Sequence, residues 1–497
     1  MMMGGPALAA SGGTNWSSAG GDRQNTRFAA AESKISAENV ESLQQQWVFA
    51  TEGDVSATPA VYGDRVYVPD WAGNLYAIDR DTGAPVWATT IPSLTGVPGD
   101  KSRTTPAISE GVLVIGTQGA FEKGGIVMGL DKDTGDLLWS TQVDNHFAAI
   151  ITQSATIYNG VVYVGVASLE EAFAADGNYP CCSFRGSVSA LDLHTGATIW
   201  KTYTAPEGYS GNAVWGSSPA IDTKRGVVYI GTGNNYDVPD DVLACVDDAT
   251  TPEDRAACLD PADYVDSVLA LDIETGQVRW ATKAIDYDAW TVGCIPFFGD
   301  GVNCPEPAGP DFDFGQAPAL FTLKNKGGKN LDVVGAGQKS GQYWALNADT
   351  GAVLWVTQAG PGGTAGGLQW GSAVDGRRVY TANANSNLVE WNGSTDGVWN
   401  GLDARTGEVL WETRPPHGGS TSGPVTTANG VVFGCSLDPV GYMYAMDAAT
   451  GEVKWKFESG GSCLSGAAIS NGQVFWGSGY SNFGFGTTNK KLFAFGL

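Results

Sequence analysis

The sequence predicts an all-β chain folded as an eight-bladed β-propeller, and three observations support this. A motif recurs seven times, consisting of a small residue, an apolar residue, Asp or Asn, two variable residues, Thr-Gly, three variable residues and Trp. Strand-like runs such as 160–167 and 226–233 usually precede it. The chain has 69 Gly and 17 Trp in 497 residues. This composition is typical of short strands joined by tight turns, because Gly adopts positive φ and aromatic rings pack well on sheets.

Each copy of the motif predicts a β-hairpin: an alternating strand enters, Asp and Gly form the turn, and a second strand carries the Trp. With the strand before it, a unit contains about four strands, which is the content of a propeller blade. We expect the Trp side chains to dock between blades. The seven copies are 77–87, 129–139, 190–200, 270–280, 345–355, 401–411 and 445–455.

The two ends of the repeat predict an eighth blade. Trp47 has no Thr-Gly turn before it, and the strand-like segment 490–497 has no Thr-Gly-Trp after it. We expect the two segments to pair and close the ring, since closure removes exposed sheet edges. The propeller then forms a single domain over residues 14–497. Residues 1–13 are predicted to be a flexible remnant of a removed signal peptide fused to a tag.

The spacing between motif Trp residues is uneven, and the extra length lies in the middle of the chain. Long insertions in a compact fold are usually functional loops. We therefore predict that the insertions gather on one face and build a roof over the propeller axis. The insertions are 90–104, 168–186, 236–265, 284–316 and 358–369.

Charge and hydropathy exclude two classes of partner. The net charge of −25 makes nucleic acid an unsuitable partner, because an acidic surface repels phosphate. No segment of the sequence is long and apolar enough to span a membrane.

Eight cysteines predict disulfide bonds and therefore an oxidising compartment, periplasmic or secreted. They show neither zinc spacing nor a haem-attachment motif. Short-range pairing suggests bonds 181–182, 245–258, 294–304 and 435–463, although sequence alone does not fix connectivity.

The Thr-Gly-Trp repeat resembles the tryptophan-docking motif of the pyrroloquinoline quinone (PQQ)-dependent alcohol dehydrogenases. The resemblance covers about residues 14–497 and is strongest to the polyvinyl alcohol dehydrogenase branch. It implies PQQ and a metal ion on the propeller axis. The repeat alone is not specific, because outer-membrane assembly scaffolds share the propeller and bind no quinone, so the function depends on residues outside it.

The resemblance implies that the quinone is held between two flat groups. Cys181 and Cys182 match the family's vicinal disulfide, a rigid plate over one quinone face, although in many relatives the pair lies one blade earlier. Trp215 matches the ring on the other face, since a planar ring stacks well on a planar cofactor. The alternative for Trp215 is a blade-core residue, but it lies outside the repeat register.

Further residues match the family's polar contacts to the quinone. Lys339 is the expected cation at the quinone oxygens, where a positive charge stabilises the reduced anionic cofactor. Arg103 and Thr152 match positions that hold carboxylates and polar edges, and Asn383 is a weaker candidate. Ser56 stands where many relatives carry a carboxylate or amide.

The same resemblance implies an all-oxygen metal site, as Ca²⁺ requires. Asn234, in GTGN, matches a strand end that supplies a carbonyl oxygen. Glu171 or its neighbour Glu170 matches a second strand end that supplies a carboxylate, and we favour Glu171. Asp313 stands where lanthanide-using relatives carry an extra carboxylate, so a lanthanide is an alternative to Ca²⁺.

The family's catalytic base is an Asp, and two segments compete for this role. GPDFDFGQAP (309–318) matches the family's Asp-aromatic-Asp segment, which makes Asp311 the base and a further metal ligand. AIDYDAW (284–290) offers Asp286 and Asp288 instead. We favour Asp311 because PALF follows it at the family's spacing.

The resemblance implies oxidation of an alcohol, with secondary, polyvinyl alcohol-like substrates expected, to a ketone or aldehyde. Electrons are expected to pass to an external cytochrome c, because this chain has no haem motif. The alternatives are a non-catalytic propeller scaffold and a quinoprotein for another alcohol or a sugar.

Overall fold

The computed structural model describes residues 15–324 and 328–497, so the predicted remnant 1–13 lies outside the described residues. The strands of the first half are β1 (Gln44–Ala50), β2 (Ala60–Tyr62), β3 (Arg65–Pro69), β4 (Asn74–Asp79), β5 (Pro85–Thr90), β6 (Ala107–Ser109), β7 (Val112–Gly116), β8 (Gly125–Asp131), β9 (Leu137–Asp144), β10 (Ala149–Ile150), β11 (Thr156–Tyr158), β12 (Val161–Ser168), β13 (Ser187–Asp192), β14 (Thr198–Tyr203), β15 (Ser210–Gly211), β16 (Ala220–Asp222), β17 (Val227–Gly231) and β18 (Asn235–Asp237).

The strands of the second half are β19 (Ser267–Asp272), β20 (Val278–Lys283), β21 (Ala319–Lys324), β22 (Asn330–Gly337), β23 (Gln342–Asn347), β24 (Val353–Gln358), β25 (Ala373–Val374), β26 (Arg378–Asn383), β27 (Val398–Asp403), β28 (Val409–Thr413), β29 (Thr426–Ala428), β30 (Val431–Cys435), β31 (Tyr442–Asp447), β32 (Val453–Glu458), β33 (Ala468–Ser470), β34 (Gln473–Ser478) and β35 (Lys491–Gly496). The α-helices are α1 (Ile91–Thr95), α2 (Glu170–Phe173), α3 (Asp240–Asp248) and α4 (Pro252–Cys258). In the described part of the chain no helix is long and apolar enough to cross a membrane.

The strands form antiparallel sheets that are the blades of the predicted propeller. Within the described residues, blade 1 is β2–β5, blade 2 is β6–β9, blade 3 is β11–β14 with β10 added, and blade 4 is β16, β17, β19 and β20. Blades 5, 6 and 7 are β21–β24, β25–β28 and β29–β32. Blade 8 has the order β1-β35-β34-β33, and Trp47 of β1 lies opposite Ala494 of β35. The prediction of eight blades closed by the two ends of the chain is therefore confirmed.

The motif Trp residues connect each blade to the next, as predicted. In blade 2, Trp139 on the outermost strand lies against Gly196, in the Thr-Gly turn of blade 3. Its indole Nε1 donates a hydrogen bond of 2.8 Å to the carbonyl oxygen of Leu193 in the same turn. Gly196 has φ 70°, and a Cβ there would lie 2.5 Å from the Trp139 ring. The turn thus requires Gly both for its backbone conformation and for the space that the ring fills.

The same contact recurs around the ring. Six further indole Nε1 groups donate to a carbonyl in the next blade or at its edge: Trp47 to Arg80, Trp87 to Lys132, Trp200 to Ile273, Trp280 to Ala348, Trp411 to Ala448 and Trp455 to Leu43. The last of these joins blade 7 to the segment that leads into β1, so the ring closes through side chains as well as through strand pairing.

An N-terminal segment, residues 15–35, crosses one end of the propeller, a feature that the repeat analysis did not predict. Its backbone carbonyls accept hydrogen bonds from the inner strands, or the residues beside them, of six blades: from Val61, Ile108, Ile221, Leu320, Val374 and Thr427. At its end, the Glu32 carboxylate accepts a hydrogen bond from the Gly472 backbone in blade 8. This segment therefore covers one mouth of the central channel.

The four predicted disulfides are present: Cys181–Cys182, Cys245–Cys258, Cys294–Cys304 and Cys435–Cys463. Three of them lie in or beside the insertions, and Cys435–Cys463 joins blade 7 to the segment before blade 8. Together they tie down the longest loops of the chain.

The Trp–Gly contact gives a stability prediction with a matched control. Gly196→Ala should destabilise the protein by roughly 2–4 kcal/mol, because it adds a left-handed residue and a clash with Trp139. Gly160 lies in the β11–β12 turn of the same blade with φ 73°, and a Cβ there meets nothing within 4 Å. Gly160→Ala should therefore cost only about 1 kcal/mol. Urea unfolding measures both, and equal losses would contradict the docking role.

Candidate active site

A cavity of about 440 Å³ lies at the end of the channel opposite the N-terminal segment. Each of the five insertions contributes to its wall, through Arg103, Glu171, Tyr236, Asp313 and Gln369. The insertions therefore gather at one end of the propeller, as predicted, while their covering of the axis as a roof stays a prediction.

Lys339 and two aspartates form the charged centre of this wall. The Lys339 ammonium lies 2.6 Å from Asp311 Oδ1 and 3.0 Å from Asp313 Oδ2. All three residues are buried. Burial lowers the pKa of Lys339, but Asp311 and Asp313 more than offset this and hold it well above its ordinary value. Burial in turn raises the pKa of Asp311 well above its usual range, against the opposing effect of Lys339.

Asp288 positions the segment that carries Asp311. Its two carboxylate oxygens accept hydrogen bonds from the backbone N–H groups of Asp311, at 3.0 Å, and Phe312, at 2.7 Å. Asp311 has φ 60°, an unfavourable conformation for a residue with a side chain, which these bonds help to maintain. Asp286 pairs with Arg255 at 2.6 Å. Of the competing aspartates, Asp311 is thus the one bound to Lys339, while Asp288 holds its backbone.

Asp313 connects three parts of the site. Its Oδ2 accepts a hydrogen bond from Trp215 Nε1 at 2.8 Å, and its Oδ1 accepts one from the Asn234 backbone at 2.8 Å. The Asn234 side chain donates to the carbonyls of Asn235 and Trp290. Both amide hydrogens of Asn234 are used in this way, so its carboxamide oxygen is the group left for a ligand.

The neighbours Glu170 and Glu171 have different surroundings. Glu170 is fully buried and accepts hydrogen bonds from the Tyr179 hydroxyl and from the backbones of Ser183 and Phe184. It therefore holds the loop that follows Cys182. Glu171 lines the cavity, and its inaccessible Oε1 has no hydrogen-bond partner among the described residues. Burial raises the pKa of Glu171 to about 8, with Asp313 adding to the rise and Lys339 opposing it.

Two predicted polar contacts lie beside the indole rings of the cavity wall. Arg103 lines the cavity with its guanidinium 4.1 Å from the centre of the Trp370 ring. Thr152 lines it as well, and its hydroxyl donates to the Trp215 carbonyl at 3.0 Å. Trp215 and Trp370 meet edge to face with their centroids 5.1 Å apart. The two indole rings and Arg103 thus form one continuous wall.

Five of the predicted site residues do not line the cavity: Asn234, Asp311, Cys181, Cys182 and Asn383. Asp311 lies behind Lys339, and the half-buried Cys182 packs beside the cluster that contains Phe184, close to Trp215. Asn383 donates to the Pro361 carbonyl and accepts from the Asn385 backbone. It is Asn385 that reaches the cavity wall. The predicted cofactor contacts of Cys181, Cys182 and Asn383 remain predictions.

Trp370 was missed from the sequence although a signal was present. QWGSA (369–373) repeats the Trp-Gly-Ser of VWGSS (214–218), and both Trp residues lie outside the Thr-Gly-Trp register. The cavity wall also contains Gln118, Tyr236 and Gln369, for which the sequence offers no comparable signal.

The chain matches a protein family and several individual relatives. The family described as outer membrane protein assembly factor BamB, a PQQ-type repeat family, matches residues 9–282, 185–399 and 339–494. The polyvinylalcohol dehydrogenase of Sphingopyxis sp. (strain 113P3) is 31% identical, over 94% of this chain and 72% of the relative. The chain belongs to the PQQ-dependent alcohol dehydrogenase family. A polyvinylalcohol dehydrogenase of Pseudomonas sp. is 30% identical, over 94% of this chain and 73% of the relative.

Solved structures agree on the fold of this family. The quinohemoprotein alcohol dehydrogenase of Comamonas testosteroni superimposes with a TM-score of 0.73 at 19% identity, covering 97% of this chain and 80% of that one. At this identity the likeness shows the propeller fold alone, and the chemistry has to be inferred from the side chains of the cavity.

The side chains at the cavity suit the planar, acidic cofactor of a PQQ-dependent alcohol dehydrogenase. Trp215 and Trp370 offer flat apolar faces, and Arg103 offers a guanidinium for carboxylates. At the other wall, Glu171 carries an orphaned buried oxygen, a donor that a hard cation accepts. Within the described residues, no three His, Cys, Asp or Glu side chains are already arranged as a metal site. The Lys339 ammonium lies between the two aspartates instead. Three carboxyl groups lie near one lysine, and a bound cation would favour their ionised forms.

The contrast between the two glutamates is testable. Glu170→Gln should destabilise the protein by roughly 2–4 kcal/mol, because it replaces a buried acceptor of several hydrogen bonds. Glu171→Gln should leave stability unchanged or raise it, since Glu171 Oε1 has no partner to lose. Urea unfolding of the two variants beside wild type measures this. Equal destabilisation would show that both carboxylates are structural.

Proposed function

We propose that this protein oxidises alcohols to ketones or aldehydes with PQQ and Ca²⁺ or a lanthanide, and passes the electrons to an external cytochrome c. The carrying observation is the buried cluster of Lys339, Asp311 and Asp313 beside the axial cavity, which Trp215 contacts through a hydrogen bond from its indole Nε1 to Asp313. A protein scaffold has no need for such a cluster, since buried charges are costly unless they serve a purpose.

The proposed binding roles follow from the walls of the cavity. Trp215 would stack on the quinone, Arg103 and Thr152 would hold a carboxylate and a polar edge, and Lys339 would lie near the quinone oxygens. Cys181 and Cys182 would border the same group, and Asn383 would support it through Asn385. Glu171, Asn234, Asp311 and Asp313 would hold the cation. When bound, PQQ supplies the two-electron acceptor and the metal supplies Lewis acidity.

Asp311 is the proposed general base. Its carboxylate is buried beside Lys339, and burial raises its pKa, which makes it a better proton acceptor than an ordinary aspartate. It would take the proton of the substrate hydroxyl, which requires Lys339 to move from its place between Asp311 and the cavity. Asp288 keeps Asp311 in position through the two backbone hydrogen bonds.

The mouth of the cavity supports a polymeric or otherwise apolar alcohol as substrate. Leu388 and Phe485 line the cavity and are 70% and 53% exposed. Such side chains bind the hydrocarbon part of a polyvinyl alcohol-like chain, whose secondary hydroxyls then enter the site one at a time. Relatives named polyvinylalcohol dehydrogenase support the same substrate. The four disulfides support a periplasmic or secreted location.

The test is dye-linked alcohol oxidation by the purified protein. Activity is expected only with PQQ together with Ca²⁺ or a lanthanide, and should be measured with polyvinyl alcohol and with a small secondary alcohol. No quinone binding and no activity with either metal would contradict the proposal and favour the alternative function, a non-catalytic propeller scaffold. Activity confined to a sugar or a primary alcohol would support a PQQ-dependent enzyme but contradict the proposed secondary-alcohol substrate.

Variants of the two aspartates identify the base. Asp311→Asn should lower kcat by about 10²–10⁴-fold even at saturating metal and PQQ, the contribution of a general base. Asp313→Asn should chiefly weaken metal and quinone binding, because Asp313 links Trp215, Asn234 and Lys339. Measured kcat and metal titrations distinguish the two. A kcat loss confined to Asp313→Asn would assign the base to Asp313.

A further inference from the structure

A second, smaller chamber of about 40 Å³ adjoins the cavity on the side of the N-terminal segment. The two share Arg103, Thr152, Trp370 and Leu464 in their walls. Ala19 and Arg27 of the N-terminal segment also line the chamber. It therefore lies on the propeller axis, between the proposed cofactor cavity and the segment that covers the other mouth of the channel.

The wall of this axial chamber is rich in hydroxyl groups and positive charge. Arg27 and Arg103 both contribute to it, and its wall contains no Asp or Glu within the described residues. This is unusual in a chain whose net charge is −25. The hydroxyl-bearing residues are Ser56, Thr58, Thr105, Thr152, Ser154 and Ser217.

Arg27 is a buried cation with only neutral partners. It is 1% exposed, and its guanidinium donates to the carbonyls of Val425 and Ala19 and to the Thr58 hydroxyl. Burial lowers its pKa to about 9, and no carboxylate opposes this. A buried charge without a counter-charge is costly, and a bound anion removes that cost.

We propose that the axial chamber binds a small monovalent anion between Arg27 and Arg103. The chamber, at about 40 Å³, has room for a halide with one or two waters, since one water needs about 10–15 Å³. The neighbouring hydroxyls supply hydrogen-bond donors. The single negative charge comes either from a solvent halide or from a carboxylate of a cofactor that reaches down from the adjoining cavity. Only the second source rests on the proposed function.

The anion also has a structural effect in this arrangement. Arg27 belongs to the N-terminal segment, and Arg103 belongs to the insertion after blade 1. An anion between them draws the segment toward the cavity and stabilises the closed mouth of the channel. Folded protein should therefore gain stability with anion concentration, since a ligand that binds only the native state shifts unfolding by mass action.

Bromide soaks of crystals of the cofactor-free protein test the site directly. We expect an anomalous peak in the axial chamber. In crystals of the PQQ-loaded protein, a retained peak assigns the site to a solvent halide, whereas a cofactor carboxylate in its place assigns the second source. No peak and no carboxylate in either crystal would overturn the proposal. The cofactor-free crystal keeps this result separate from any failure to bind quinone.

A solution measurement uses chloride against gluconate at constant ionic strength. For wild type, Tm should rise by roughly 2 °C between 1 and 100 mM chloride. Arg27→Gln should abolish the rise, and Ser56→Asp, which places a carboxylate in the chamber, should abolish it without removing either arginine. Arg23→Gln is the matched control, since Arg23 is exposed on the same segment and should leave the rise intact. An equal chloride effect in all four proteins would contradict the site.

Discussion

The contact between a Trp ring and the Gly of the next blade is the constraint on which this structure depends. The Trp ring occupies the space that a Cβ on the turn glycine would need, and the indole Nε1 donates a hydrogen bond to a carbonyl at the edge of that blade. Because each contact involves only neighbouring blades, the propeller is held together from one blade to the next around its circle. Closure through Trp455 and β1 then fixes the axis. The insertions are free to vary at one end of it.

The site on this axis depends on pairs of acidic residues with divided roles. Glu170 accepts hydrogen bonds from backbone N–H groups and a hydroxyl group, and these bonds orient the loop beside it. Glu171, the next residue, reaches the cavity. Asp288 likewise accepts hydrogen bonds from the backbone of the segment that carries Asp311. In both cases a carboxylate that accepts backbone N–H groups positions a segment that carries another carboxylate. The hydrogen bonds offset part of the cost of burying the positioning carboxylate.

The sequence predicted the propeller, its closure and the disulfides because these depend on a repeat and on short-range pairing. It could not separate Glu170 from Glu171, or Asp288 from Asp311, since the distinction lies in local backbone direction, such as the positive φ of Asp311. Trp370 was missed although its Trp-Gly-Ser copies that of Trp215. The N-terminal segment was missed for a different reason. Its hydrogen-bond partners are spread over residues 61 to 472. A single irregular segment that crosses the propeller has no periodic sequence pattern of its own.

Charge changes sign along the axis, and this has a consequence for any molecule bound there. At one end of the cavity, the carboxyl groups of Glu171, Asp311 and Asp313 lie near Lys339, and their oxygens suit a cation. Toward the axial chamber, Arg103 and Arg27 stand without a carboxylate, so the other end attracts an anion. The two ends are connected through Trp215 and Trp370, whose faces favour a flat ring system. The proposed PQQ cofactor would meet Arg103 toward one end of this axis and Lys339 toward the other.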